Sequence, residues 1–598
     1  MNISAAEHKT DIAATLRKAV HHHTAGRWEE AARIYGQILE IAPDHSDALH
    51  LLGVIQHRRG DHAAAQDLIR QAIRNDPAVP IYHVSLGDLF QSSGDFTDAI
   101  RCYHRALRLA PHSLEALCNL GNALREQGHP RQAIACYRKC LTLNPCLAEV
   151  YNNLGMALHT LRDYERASAN FKEAVRLRPD FADAYNNLGT VCRDQSNLDE
   201  ALRHYQQALA LSPENASINH NLGIIYQLRQ DFDRARACYQ KAIGSQAGLA
   251  ETHNNLGKLY HDRNQFAQAL CHYEKAVQIA PGHADAHFNR ALTLLLTGRF
   301  KEGWQEYEWR FQRAGWKKIY PHRLQKPRWD GGKFSGRKLF VHSEQGFGDT
   351  IQFVRYLPRV KSLGGHVTLE VRHELYDLLQ GFPGVDKLVP MSFDTLPREA
   401  YDCYIPLMSL PGIFGTDIET IPAPVPYIHA LPAKIDFWRR RMGGAGLKIG
   451  VVWAAKDTYA HNKTCPPKEL GPLFRIRRVE FCGLQKGSAA GQIKKSAVEV
   501  QNLGEEFATF ADTAAAIECL DLVVSVDTAV AHLAGAMGKP VWILLPHSPD
   551  WRWLVDREDS PWYPTMRLFR QPRPGDWQAV VRTVKAQLRR LRAAKHEA

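Results

Sequence analysis

The chain has 598 residues, 45% hydrophobic and 23% charged, and carries a formal net charge of +12. That length is too great for one hydrophobic core and predicts at least three domains of globular composition. No apolar run approaches the ~20 residues that a membrane span needs, so no spanning helix is expected.

The N-terminal stretch MNISAAEHKTDIAATLRKAV lacks an apolar signal core, and the 12 cysteines are scattered without a CxxC pair. Both features predict a reduced, cytoplasmic setting. Cys136 and Cys140, one helical turn apart, read as packed thiols, and His21, His22 and His23 lack a partner cluster for a metal. The densest basic stretches are 313–329 and 582–598. Such stretches read as solvated surface or as a hold for anions, and no nucleic-acid partner is assigned to them.

The first half is repetitive. Leucine precedes glycine at Gly53, Gly87, Gly121, Gly155, Gly189, Gly223 and Gly257, with a step of 34 residues. An alanine stands twelve residues after each glycine, from Ala65 to Ala269, and an aromatic usually follows four further on (Tyr103, Tyr137, Phe171, Tyr205, Tyr239, Tyr273). Proline closes most units, at Pro77, Pro111, Pro145, Pro179, Pro213 and Pro281. Small residues let paired helices approach, the aromatic fills the space beside them, and proline ends the second helix. The pattern resembles the tetratricopeptide repeat. It extends back to Ala31, Tyr35 and Pro43 and forward to a degenerate last unit with Ala291, Gly303 and Tyr307. Nine units over 12–317 imply an all-α superhelix with a concave groove.

Two residues before the glycine stand Asn119, Asn153, Asn187, Asn221 and Asn255, with Asn289 in phase. An amide both donates and accepts, so such a ladder can pair with the backbone of an extended peptide. In the O-GlcNAc transferase family a ladder of this kind holds the acceptor protein. Helix packing is the other reading of the same residues.

From about residue 325 the pattern changes to short apolar runs alternating with helical stretches, the signature of parallel α/β sheets. Strands are expected at 338–342, 366–371, 387–390 and 401–407, and in a second set at 448–453, 479–485, 498–504, 521–527 and 540–546. A proline- and glycine-rich linker, 410–432, separates the sets. This predicts Rossmann-like lobes at 325–432 and 445–575, followed by a basic C-terminal helix at 576–598. Two such lobes facing a cleft resemble the GT-B glycosyltransferase architecture, and that resemblance implies a last helix crossing back onto the first lobe.

The chemistry-bearing stretches follow strand ends. In DLVVSVDTAVAHLAGAMGKPVW a buried strand ends at Asp527, and Thr528 caps a helix whose free N–H groups suit a diphosphate. This segment resembles the donor-binding motif of the heptosyltransferase-like glycosyltransferases (family 9). The resemblance implies donor contacts at Asp527, Thr528 and His532 and a phosphate-binding base at Lys463 within AHNKTCPPKEL, with Lys456 as its rival. Gln485 and Lys486 end another strand and read as nucleotide contacts, and Asp512 with Thr513 reads as a helix cap bordering the nucleoside. The acid pair in DRED (556–559) is discounted as a metal site, because GT-B enzymes usually need no metal.

SEQGFGDTIQF (343–353) lacks both the third glycine of GxGxxG and the GK[ST] of a P-loop. In the family it resembles, this turn faces the acceptor and its acid is the general base, which places that role on Asp349. Gly346 and Gly348 would give substrates clearance. A helix N-terminus favours the anion and so weakens the base, and burial offsets this. Asp349 as a helix cap is the other reading, and the two are compatible. The whole implies a metal- and cofactor-independent glycosyltransferase. It would move a sugar from a nucleotide-sugar co-substrate to Ser/Thr of an acceptor protein in the repeat groove, with flagellin a candidate. Transfer to a lipopolysaccharide or other glycan, and a non-catalytic repeat scaffold, are the alternatives.

Overall fold

The structure is a computed structural model describing residues 5–246, 248–315, 324–391, 399–444, 446–455, 463–495 and 500–597. Lys456 lies outside the described residues, as do residues 316–323 of the 313–329 basic stretch. The chain divides into two compact units, Met1–Gln246 and Ala247–Ala598.

The first unit holds seven helix pairs, from Ala5–Thr24 with Trp28–Ile41 to Ala216–Leu228 with Phe232–Ser245. The repeat signature explains their packing. A Cβ at Gly121 would stand 2.6 Å from the Tyr137 ring, and one at Gly223 would stand 2.4 Å from Tyr239. Glycine therefore lets the aromatic of the second helix lie against the backbone of the first. Before each closing proline the backbone swings out of the helical region, as at Ala110 (φ −135°) and Asn144 (φ −145°). That is the steric demand proline makes on its predecessor.

The turn inside each pair needs one residue at positive φ. Gly60, Gly94 and Gly128 fill it, but Arg162, Ser196 and Gln230 hold the same conformation at φ 60° to 63°. The asparagine ladder ties neighbouring repeats. Asn119 Nδ2 donates to Asp88 (2.8 Å), Asn153 to Asn122 (3.0 Å), Asn187 to Asn152 (2.9 Å) and Asn221 to Asn186 (2.9 Å).

The second unit opens with two more pairs, Ala250–Asp262 with Phe266–Ile279 and Ala284–Leu296 with Phe300–Tyr307. Here Asn289 Nδ2 donates to Asn254 (2.9 Å). Two all-parallel sheets follow. The first contains β1 (Lys338–His342), β2 (His366–Val371), β3 (Lys387–Pro390) and β4 (Cys403–Pro406), in the order β3-β2-β1-β4. The second contains β5 (Leu447–Val452), β6 (Val479–Gly483), β7 (Gln501–Asn502), β8 (Leu522–Val526), β9 (Val541–Leu545) and β10 (Met566–Arg570). Its order, β10-β9-β8-β5-β6-β7, is the doubly wound order, with the chain reversing direction between β5 and β8.

Three sequence expectations change. The expected strand at 498–504 shrinks to the two residues of β7, and residues 498 and 499 lie outside the described residues. β10 went unread within an aromatic-rich stretch. The C-terminal helix Trp577–Glu597 stays on its own lobe instead of crossing to the first. Trp577, Val580, Val581, Val584 and Leu588 form one apolar face that packs with Ile449, Val451 and Leu473 of the second lobe.

What joins the lobes is the linker and the segment after β9. Arg355 of the first lobe, 5% exposed, donates to the carbonyls of Trp562 (2.7 Å) and Pro422 (3.3 Å) and to the Tyr427 hydroxyl (2.7 Å). Trp551 and Trp562 pack on Phe353, and Trp304 of the ninth pair meets Trp551 edge-on at 5.3 Å.

Candidate active site

Open α/β sheets bind ligands beyond the carboxyl ends of strands where the winding reverses. In the first lobe that point lies between β1 and β4, and the loop leaving β1 carries Glu344, Gly346 and Asp349. In the second lobe it lies between β5 and β8, whose following segments carry Lys463 and Asp527 respectively. The helices that start there, Phe347–Phe353 and Ala529–Ala536, pack against each other. Gly348 permits this contact, since a Cβ there would stand 2.8 Å from His532 Cδ2 and 3.4 Å from Ala529 Cα. Beside Gly346, by contrast, only an Asp349 oxygen lies near, at 3.2 Å.

Asp349 accepts from the Gly346 N–H through Oδ2 (2.7 Å) and from Arg552 Nη2 through Oδ1 (2.5 Å). Burial pushes its carboxyl above the usual range against the pull of Arg552 and the Gly346 N–H, and Asp550 and Asp527 add to the rise. Arg552 also donates to Asp550 Oδ1 (2.7 Å) and, through Nε, to Gln352 (2.8 Å). Lys463 donates to Asp527 (2.6 Å) and Asp550 (3.4 Å). Burial works against its ammonium, but the two carboxylates outweigh it and hold its pKa above the ordinary value. Arg552 and Lys463 in turn hold Asp550 well below the usual carboxylate range against burial.

The result is one chain of charge, Asp349–Arg552–Asp550–Lys463–Asp527, running from the first lobe to the second. His532 stands beside it. Its Nδ1 pairs with the Tyr563 hydroxyl (3.0 Å), its ring stacks on Trp553, and burial depresses its pKa to about 3, so it is neutral. Thr528 is the N-cap residue of Ala529–Ala536, but its hydroxyl bonds Ser525 (3.0 Å) and not its own helix. The first N–H groups of that helix are therefore not capped by it.

Other sequence-predicted contacts are turned elsewhere. Gln485 Oε1 accepts from the backbone N–H groups of Trp453 (3.3 Å) and Ala454 (2.9 Å), pinning the segment that leaves β5. The Lys486 ammonium donates to the Phe507 carbonyl. The cap of helix Phe510–Glu518 is Thr509, with Asp512 reaching back to the Thr509 and Ala508 N–H groups while its other oxygen takes Lys434 (2.6 Å). In DRED, Arg557 pairs with Asp559 (2.7 Å). Asn255 makes no side-chain hydrogen bond among the described residues.

Sequence reading missed Asp550 and Arg552, which lie in the stretch PDWRW after β9. It also missed Arg310. This arginine is fully buried at the end of the ninth pair and donates to both oxygens of Glu344 (2.9 and 3.2 Å), the residue that enters the Asp349 turn. Gln345 adds a bond to the Tyr307 hydroxyl (3.0 Å).

Comparison with known proteins finds likenesses in both halves of the chain. The tetratricopeptide repeat family matches residues 11–78, and a cilia and flagella-associated protein 70 C-terminal domain family matches 80–292. Glycosyltransferase family 9 (heptosyltransferase) matches 489–553, from the segment before β7 to Trp553. Protein FlbA of Caulobacter vibrioides is 30% identical over 336 residues, covering 51% of this chain and 55% of FlbA. The chain thus spans about half the length of that relative. The N-terminal acetyltransferase A auxiliary subunit NAA15 of Arabidopsis thaliana is 29% identical over 98 residues, or 16% of this chain and 11% of that one. Among solved structures, Cut9–Hcn1 aligns at 21% identity and TM-score 0.38 over 49% of this chain and 57% of that one. MamA aligns at 29% identity and TM-score 0.25 over 28% of this chain and 97% of its own. The chain carries tetratricopeptide repeats, and its second half contains a region similar to the heptosyltransferase family of glycosyltransferases.

Proposed function

We propose that the chain is a glycosyltransferase that moves a sugar from a nucleotide-sugar donor to a Ser or Thr hydroxyl of a protein recruited by the repeats. One observation carries this reading. Asp349 of the first lobe is joined through Arg552 and Asp550 to Lys463 and Asp527 of the second, with His532 beside them, where both sheets reverse. Asp349 takes the proton of the acceptor hydroxyl while its oxygen attacks the anomeric carbon. The bond from that carbon to the nucleoside diphosphate breaks, and the leaving charge falls on Lys463 and the N–H groups opening helix Ala529–Ala536. In this reading Asp527 and neutral His532 bond sugar hydroxyls. The repeats supply the docking surface, with the ladder asparagines presenting to a peptide the carbonyl oxygens that they do not use between repeats.

The test is intact-mass measurement of candidate acceptors, flagellin first, co-expressed with the chain or its Asp349→Ala variant. A sugar-mass increment is expected with the wild type and its loss with the variant, while the acceptor still co-purifies with both. An increment that survives Asp349→Ala removes the base assignment. An increment found only on glycan moves the acceptor class from protein to polysaccharide.

A further inference from the structure

Both carboxylate oxygens of the base are occupied. Oδ2 takes a backbone N–H, which cannot leave without unwinding the turn, and Oδ1 takes a side chain, Arg552. Arg552 is itself shared, because its other terminal nitrogen is on Asp550, which also faces Lys463. Among these five groups three carboxylates face two cations, so an entering diphosphate finds no spare positive side chain in the cluster and must compete for one already paired. Lys463 lies on the donor side. When a phosphate draws Lys463, Asp550 loses that cation, and Arg552 is the remaining cation within its reach.

We infer that Arg552 is a positioning residue that holds Asp349 in the donor-free cleft and moves its charge toward Asp550 and the donor phosphates when the donor binds. The base is thereby released only once a donor is in place. This rests on the function proposed above. Its consequence for the reaction is that an acceptor hydroxyl meets a free carboxylate only when a sugar is present to receive the oxygen. No bond to Arg552 is made or broken beyond hydrogen bonds, and the guanidinium stays protonated throughout.

Linkage makes the inference testable without knowing the nucleotide. If Asp349 and a diphosphate compete for Arg552, removing the Asp349 charge must tighten diphosphate binding through Arg552. Inorganic pyrophosphate is the probe, and its affinity is measured by calorimetry on the full chain, on Asp349→Asn, on Arg552→Gln and on the double variant. Asp349→Asn is expected to tighten binding by about fivefold or more, the lower end of measured site coupling. In the Arg552→Gln background the same change is expected to do little. Equal tightening in both backgrounds would mean that bulk charge, not Arg552, carries the effect, and would overturn the inference. Absence of pyrophosphate binding to the wild type and Lys463→Gln alike would instead overturn the donor-site reading, and this inference with it. Should Arg552→Gln fail to fold, Arg552→Met serves the same arm, because it keeps an apolar stem of similar reach and removes the charge.

Discussion

Gly346 and Gly348 flank one phenylalanine and meet different neighbours. Alanine at 348 forces its Cβ to 2.8 Å from the His532 ring on the other lobe, whereas alanine at 346 meets a single carboxylate oxygen at 3.2 Å. Overpacking of the first kind costs about 1–3 kcal/mol, and an exposed change of the second kind stays within about 0.5 kcal/mol. Urea unfolding of Gly348→Ala and Gly346→Ala is expected to show that contrast, and equal losses would refute it. The GxGD turn was thus legible in sequence, but the reason for its second glycine was not. Spacing alone cannot tell clearance for a substrate from clearance for a helix nearly two hundred residues away. Asp527 and His532 were legible because strand end, cap and helix are contiguous there. Asp550 and Arg552 were not, because nothing in PDWRW ties its arginine to Asp349 until the fold brings the two together. Gln485 follows a strand and spends its carbonyl on backbone N–H groups, a use that its place in the sequence does not reveal.

At the scale of elements, the repeat helices were readable almost throughout because one pattern recurs in phase. The exceptions are instructive. β10 contains two arginines and follows a proline-rich stretch, so its apolar content is thin, and only pairing with β9 makes it a strand. The intra-pair turns keep positive φ even where the sequence departs from glycine. A side chain in that conformation costs roughly 1–2 kcal/mol, part of which glycine returns as unfolded-state freedom. Arg162→Gly and Ser196→Gly are each expected to raise stability by about 0.5–1 kcal/mol in thermal unfolding, and a loss at both sites would contradict the turn geometry. The joint between the ninth pair and the first lobe rests on Arg310 and Glu344, whose side chains are both 0% exposed. Removing one partner of a buried pair costs about 3–5 kcal/mol, while replacing both by apolar residues of similar volume is often neutral. Arg310→Met should therefore destabilise the second unit far more than Arg310→Met with Glu344→Met. Equal losses would show that the pair does not carry the joint.

For the whole molecule, histidines that are buried or partly buried bear on stability in acid. Burial depresses His50, His261 and His272 to about 4 and His532 to about 3, each from an ordinary value near 6.5. Each stays neutral in the folded chain over a range where the unfolded chain binds a proton. The stability they contribute is full above about pH 6.5 and is lost as pH falls toward their folded values. Asp262, pushed up to about 6 by burial, opposes this and is outnumbered. The unfolding midpoint is expected to be flat above about pH 7 and to fall between about pH 6.5 and 4, with a shallower fall after His50→Gln and His272→Gln. An unchanged slope in the double variant would refute the assignment.

The placement of the last two helix pairs has a consequence for descent. They share a compact unit with the two sheets, and their side chains reach the Asp349 turn and the loop after β9, where Asn264 holds the His547 carbonyl (2.9 Å). The seven earlier pairs form a unit of their own. Gene duplication can therefore lengthen or shorten the array upstream in whole 34-residue steps without touching the second unit's internal packing. The eighth and ninth pairs, by contrast, are bonded to the sheets, so adding or removing a repeat there breaks those contacts.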